Sequence, residues 1–253
     1  MAKKHLIIPD TQCKPGHSFE YLSWIGQYIV DQKPDVVIQI GDFADMESLS
    51  SYDQGKKSFE GRRYVKDVQA AKDAMDVLLS PLRKAQEKAK RNKEKIYKPR
   101  LVLTLGNHEA RIKRAINDDP KLEGLIKYED LPYTDWEVHD FLQPVFIDGV
   151  AYCHYFTSGV MGRPVSSPTL LLSKKHMSCV MGHVQDRGIA YARRADGKRM
   201  TGLFAGICYQ HDEDYLTPQT NGSWAGVWMF NEVNDGSFDE LPVSLSYLKE
   251  KYA

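Results

Sequence analysis

Short apolar runs punctuate the chain, each closing on a polar residue or a glycine: Leu6-Ile-Ile, Val36-Val-Ile-Gln-Ile40, Leu101-Val-Leu-Thr-Leu105, Val150-Ala-Tyr-Cys and Met177-Ser-Cys-Val-Met181. Brief, β-rich and bounded by turn residues, they predict buried strands. Between the first two, Leu22, Ile25, Ile29 and Val30 recur at helical spacing within Phe19 to Gln32. A helix between two buried strands is a βαβ unit, so the sheet is at least partly parallel.

From 64 to 95, Val65, Val68, Ala71, Met75, Leu78, Leu79, Leu82 and Ala85 fall at intervals of three and four. That period predicts a long amphipathic helix, with a kink near Pro81. Beyond 185 the pattern turns to short strands, Gly188-Ile-Ala-Tyr-Ala, Thr201-Gly-Leu-Phe-Ala and Trp224-Ala-Gly-Val-Trp-Met-Phe, parted by Gly, Asn and Asp. An α/β half followed by a β-rich half predicts one domain of two packed sheets with helices outside.

Composition narrows this little. The 253 residues are 42% hydrophobic and 27% charged, and no apolar run approaches the roughly 20 residues of a membrane helix. The stretch His5 to Pro9 is too short for a secretory core, which predicts a cytoplasmic protein without membrane contact. Cys13, Cys153, Cys179 and Cys208 show no CxxC spacing and read as reduced structural thiols. Lys plus Arg and Asp plus Glu both total 34, so attraction to a polyanion must be local. One local excess runs from Arg83 to Arg100, opposed only by Glu87 and Glu94.

Metal-capable side chains stand just beyond the predicted strands: Asp10, Asp42, Asn107, His154 and His183. In open α/β sheets, loops at the carboxyl ends of strands converge on a ligand crevice. Taken singly, each residue has a plainer reading: a turn Asp, a capping Asn, a satisfied core His. Their order and neighbours go further. Asp10-Thr-Gln, Gly41-Asp-Phe-Ala-Asp45, Gly106-Asn-His-Glu109, His154 and Gly182-His-Val-Gln185 resemble the five blocks of the calcineurin-like metallophosphoesterases, D-x-H, G-D-x-x-D, G-N-H-[DE], H and G-H-x-H. The resemblance covers residues 10 to 185.

The resemblance implies a single metallophosphoesterase domain over 1–253, an αββα four-layer sandwich with a helical insertion at about 46–98. It further implies that Asp42 bridges two divalent cations, that Asp10 serves one, and that Asn107, His154 and His183 serve the other. His108 would face the phosphoryl or leaving-group oxygen, held by Asp45. Such a pair of cations, about 3.5–4 Å apart, neutralises phosphate charge and activates water.

Two positions depart from the pattern. Gln12 and Gln185 stand where the family has histidines, both on the Asp10 cation. Amide oxygens make that site harder, favouring manganese, with magnesium, iron or zinc as alternatives. The other reading is a weak or lost second site. His17 is a candidate replacement imidazole.

The motifs fix the bond and leave the substrate open. Arg111 and Arg114, with Lys113 between, are the expected phosphate contacts. The basic stretch 83–100 is a candidate polyanion contact or a solvated helix face, and Tyr52, Tyr64, Tyr97, Tyr133 and Trp136 are candidates to stack bases. His211, Asp212, Asp214 and Tyr215 are candidates for a rim, or an ordinary polar turn. The expected function is hydrolysis of nucleic-acid or nucleotide phosphate esters, by a phosphodiesterase, nuclease or end-processing phosphatase acting on DNA or RNA. The alternatives are a protein or small-molecule phosphomonoesterase and a non-catalytic, metal-stabilised scaffold.

Overall fold

The computed structural model describes residues 2–213 and 223–253. Among the described residues there are eleven strands and five α-helices. The strands are β1 (Lys3–Ile8), β2 (Val36–Gln39), β3 (Arg100–Thr104), β4 (Glu137–His139), β5 (Val145–Ile147), β6 (Val150–Cys153), β7 (Cys179–Met181), β8 (Arg187–Arg193), β9 (Arg199–Ala205), β10 (Gly226–Asn234) and β11 (Ser237–Ser244). The helices are α1 (Glu20–Gln32), α2 (Tyr64–Arg91), α3 (Arg111–Asp118), α4 (Pro168–Lys175) and α5 (Leu245–Tyr252).

The strands form a six-stranded sheet, β11-β10-β1-β2-β3-β4, and a five-stranded sheet, β5-β6-β7-β9-β8. In the first, β1 to β4 are parallel and β10 and β11 antiparallel; in the second, β6, β7 and β9 are parallel between antiparallel edges. Parallel strands buried on both faces are apolar along nearly their whole length, as Val36–Gln39 and Val150–Cys153 are; the one polar side chain, Gln39, is satisfied by the Gly41 backbone.

Three apolar layers follow. Ile7, Ile38, Val102, Tyr152, Val180, Leu203, Trp228 and Phe230 fill the space between the sheets. Leu22, Ile25, Leu78, Leu79, Leu103 and Leu248 pack α1, α2 and α5 on the outer face of the larger sheet. Leu171, Cys179, Met181 and Phe204 seat α4 on the smaller one. The protein is the expected sandwich of two mixed sheets between helices.

Helix α2 runs unbroken through Pro81. Its ring faces α1 at Gly26, where a Cβ would lie 2.3 Å from the Leu78 carbonyl oxygen. The helices therefore approach closely where proline removes a backbone donor. The expected helix over 64–95 ends at Arg91, with Lys93 in left-handed backbone just beyond. All four cysteines are buried free thiols.

Where the sheets meet at their carboxyl ends the chain ties them together. Cys208 N donates to the Asp10 carbonyl at 2.7 Å, linking the end of β1 to the segment after β9. That end of the sandwich holds the site.

Candidate functional site

Five parallel strands aim their carboxyl ends at one crevice. Asp10 follows β1, Asp42 follows β2, Asn107 follows β3, His154 follows β6 and His183 follows β7. The exit loops are sharply turned: Gln12 (φ 41°), Asp42 (52°), Met46 (53°) and His183 (65°) all adopt left-handed backbone. Such conformations are disfavoured for residues with a Cβ and cluster where surrounding structure enforces a functional geometry.

Glycines make the close approaches possible. A Cβ on Gly106 would lie 2.0 Å from Asp42 Oδ1, one on Gly182 2.3 Å from Asp10 Oδ1, and one on Gly41 2.7 Å from His154 Nδ1. At Gly41 a left-handed φ of 98° adds a second reason.

Glu109 braces the loops, a role its place in the motif did not disclose. Its carboxylate accepts from Asp42 N (3.1 Å), Gly106 N (2.8 Å), Ala44 N (3.0 Å) and the Tyr133 hydroxyl (3.0 Å). It is fully buried, and burial followed by the Asp42 charge raises its pKa.

Within this frame Asp42 is central. Its Oδ1 accepts the His108 backbone N–H at 2.8 Å, and its Oδ2 lies 3.2 Å from His154 Nε2 and 3.7 Å from His108 Nε2. His154 Nε2 is also 2.9 Å from Asn107 Oδ1. Asp10 turns both carboxylate oxygens to the His183 backbone N–H, at 3.1 Å each. One donor atom each from Asp42, His154 and His183 lie within 4.8 Å of one another.

The electrostatics are those of a buried cluster in which carboxylates and imidazoles shift one another strongly. Burial, then the charge of Asp42, raises Asp10 to about 7 against the pull of His154. Burial would also raise Asp42, but His108 and His154 hold it far below the ordinary carboxylate range. For His154, burial is outweighed by Asp42 and Asp10, which bring it to about 9. Burial and His154 push His183 down to about 4. Asp10 and Asp42 are each 1% exposed, and among the described residues they form ion pairs with histidines alone. The two buried carboxylates are balanced here by protons shared with the imidazoles, and a divalent cation could take the place of those protons. Carboxylate and imidazole donors at this spacing suit a first-row divalent metal, so the residues fit one.

Beside this cluster, His108 Nδ1 lies 2.7 Å from Asp45 Oδ1. Burial opposes a charge on His108, yet Asp42 and Asp45 raise its pKa. Asp45, which burial would raise, falls to about 2 through its bond to His108 and the nearby Arg111 and Lys14 charges. Arg111 donates to Asp45 Oδ1 (3.0 Å) and Asp45 O (2.8 Å), and its other terminal nitrogen is 3.3 Å from His108 Nε2.

A cavity of about 1330 Å³ opens onto the cluster. Gln12, Asp42, Asp45, Asn107, His108, Arg111, His183 and Gln185 line it, while Asp10 and His154 are buried behind. Arg114 is not among the described lining residues; it donates to the Asn107 carbonyl at 2.6 Å. Lys113 is also outside the lining. His17 lines the cavity with its ring 4.6 Å from that of His211, away from the donor cluster. Asp212 and Glu213 form part of the rim; Asp214 and Tyr215 lie outside the described residues.

Of the candidate polyanion contacts, the structure sets most apart from the cavity. The basic stretch 83–100 begins in the last turns of α2, a helix about 40 Å long that starts at the cavity and runs away from it. The stretch ends where Tyr97 donates to the Pro34 carbonyl and Arg100 opens β3, at the amino ends of the strands. Of the five aromatic candidates only Tyr52 lines the cavity. Tyr64 donates to Asp130, Tyr97 to Pro34, buried Tyr133 to Glu109 and buried Trp136 to Met75 Sδ.

The sequence reading also missed the cavity's far wall, supplied by residues 47 to 66, and the buried pair in which Lys14 Nζ donates to Glu213 at 2.8 and 2.9 Å. No motif marks either, although Arg62-Arg63 and Lys66 stood in the sequence as an isolated basic group.

Among the described residues, no helix is long and apolar enough to cross a membrane. Comparison with models of known protein families gives no match, and comparison with curated proteins gives none.

Proposed function

We propose that the protein is a metal-dependent phosphoesterase related to the calcineurin-like metallophosphoesterases, acting on phosphate esters of nucleic acids or nucleotides. The observation that carries this reading is the position of Asp42: one carboxylate touches His154, receives the backbone of His108, and faces His183 across the mouth of a polar cavity. A carboxylate shared between imidazoles beside a polar cavity can hold and bridge cations, which is the arrangement a metal-dependent phosphoesterase uses.

In this reading Asp10, Gln12, Asp42, Asn107, His154, His183 and Gln185 hold two divalent cations, manganese foremost, with the Asp10 side the weaker because amide oxygens replace imidazoles. Bound there, the cations supply charge neutralisation for the phosphate and an activated water. The chain does the rest. His108 presents Nε2 to the cavity and Asp45 fixes its orientation through Nδ1, so His108 can hydrogen-bond the leaving oxygen as negative charge develops. Arg111 holds Asp45 through one terminal nitrogen, stands beside His108 with the other, and lines the cavity where a phosphate would bind.

The test is a hydrolysis screen of the manganese-loaded protein on single- and double-stranded DNA, RNA, cyclic nucleotides and a chromogenic phosphomonoester. Activity abolished by a chelator and restored by manganese is expected on a nucleic acid or nucleotide. Activity confined to the chromogenic ester would overturn the substrate class, and none on any substrate would overturn the enzyme.

A further inference from the structure

The cavity is larger than the ~300–1000 Å³ that encloses a drug-sized ligand, and besides the Asp42 cluster much of its lining comes from one segment, residues 47 to 66. That wall is internally braced. Arg62 donates to Asp53 at 2.9 Å and to the Glu47 carbonyl at 3.3 Å, with the Glu47 carboxylate 3.4 Å from its Nε. Ser50 and Lys56 also donate to Asp53, each at 3.0 Å.

Arg62 is held between Asp53 and Glu47, whereas Lys56 shares Asp53 from the exposed surface. Tyr52 stands 76% exposed with the Lys56 ammonium 3.9 Å from its ring centroid. Arg63 and Lys66 line the cavity and form no salt bridge among the described residues. The lining contains almost no apolar side chain, which argues against lipids and apolar small molecules.

We infer that residues 52 to 66 form a single-strand nucleic-acid subsite, in which Tyr52 stacks a base and Lys56, Arg63 and Lys66 follow the phosphate backbone. An exposed aromatic ring interleaved with cations is the surface that reads an unpaired strand. Duplex bases are already stacked and offer Tyr52 no face, so the subsite selects single strands. A phosphopeptide would present one phosphate and leave the ring and two of the cations without a partner. The inference rests on the phosphoesterase reading only for its direction, since the strand would lead from this wall to the metal cluster.

The test measures binding separately from catalysis. Fluorescence anisotropy is recorded with the full chain carrying His108→Ala, in manganese, against a labelled oligothymidylate of about 12 nucleotides, within the ~4–16-nucleotide range of single-strand sites. The same background is titrated with a duplex of equal length and with a phosphoserine peptide. Tyr52→Ala is expected to weaken single-strand binding about 5- to 100-fold, with Tyr52→Phe restoring it, since the stacking face is retained. Replacing Lys56, Arg63 and Lys66 with Ala should lower the slope of log affinity against log salt by about 2, near 0.7 for each lost phosphate contact.

The variants' unfolding midpoints, read by circular dichroism, should match their parent because all four side chains are exposed. Equal or tighter duplex binding, tighter peptide binding, or single-strand binding that none of these substitutions alters would overturn the subsite. Wild-type turnover of the chromogenic ester reports on the phosphoesterase reading alone, so the two can fail independently.

Discussion

Gly106 and Asp42 are in such close contact that a single methyl group on the glycine would fall 2.0 Å from the carboxylate oxygen. Asp42 has no freedom to retreat. It is buried, its backbone is left-handed, and its Oδ1 is held by the His108 amide. Gly106→Ala should therefore cost about 1–3 kcal/mol of stability, as overpacking does, and displace Asp42 from its partners. Thermal unfolding and manganese content by elemental analysis check this; a variant with wild-type metal content would contradict it.

Glu109 accepts four hydrogen bonds and donates none. Glu109→Gln keeps the shape but turns an NH₂ toward backbone N–H donors. Leaving a buried donor unsatisfied costs about 1–3 kcal/mol. Denaturant titration should show that loss, and a change below 0.5 kcal/mol, on the order of surface-substitution noise, would count against the bracing role.

His108→Ala should lower kcat by about 10²–10⁴-fold with the fold intact, the usual contribution of a positioned acid or base. Asp45→Asn should lose about 10–100-fold, since it perturbs His108 only through its orientation. Steady-state kinetics on the best substrate of the screen decides both, and equal losses would mean that Asp45 does more than orient.

Gln12 and Gln185 line the cavity, and Gln12 already occupies left-handed backbone that histidine tolerates. Replacing both with His should shift metal preference from manganese toward zinc. Competition dialysis against equimolar manganese and zinc, followed by elemental analysis, measures the shift. An unchanged ratio would mean that neither side chain reaches a cation.

Far from the cavity, His5 is buried between the Tyr152 hydroxyl (2.7 Å) and Asp148 (3.0 Å), with Lys3 and Asp35 also acting on it. Burial lowers its pKa below 6.5 despite the favourable Asp148 charge. The unfolded chain then binds a proton near 6.5 that the folded chain refuses, so stability rises with pH across the window below 6.5 and falls as pH drops through it. His5→Gln should flatten that dependence by up to about 1.4 kcal/mol per pH unit. Urea titrations of both proteins from pH 8 to about 5 test the difference; parallel curves would refute it.

The strands that deliver the site were legible because burial on both faces makes each an apolar run ending at a polar residue, as in Val36–Gln39 before Gly41-Asp42. The helices α4 and α5 escaped despite their N-capping serines, Ser167 and Ser244: eight residues are too few for a period to emerge. Strand β11 alternates polar residues around Pro242 at the sheet edge, and β4 has only three residues. Charge counting located the basic stretch 83–100 without its direction, because helix α2 carries its first turn to the cavity and its last turns to the opposite end. For Arg111 the sequence indicated proximity to the chemistry; which partners it holds, Asp45 and His108, depends on loops that meet only in three dimensions.

The donors around Asp42 come from positions as far apart as Asp10 and His183, and the tie from Cys208 back to Asp10 spans further still. Such contacts form late, after the local helices and hairpins, because closing long loops is entropically costly. A growing chain would thus have almost no assembled site until β7 is in place. On the proposed metal-dependent reading, metal choice would then fall to the finished fold, under the ion concentrations it meets at that moment, rather than to the nascent chain.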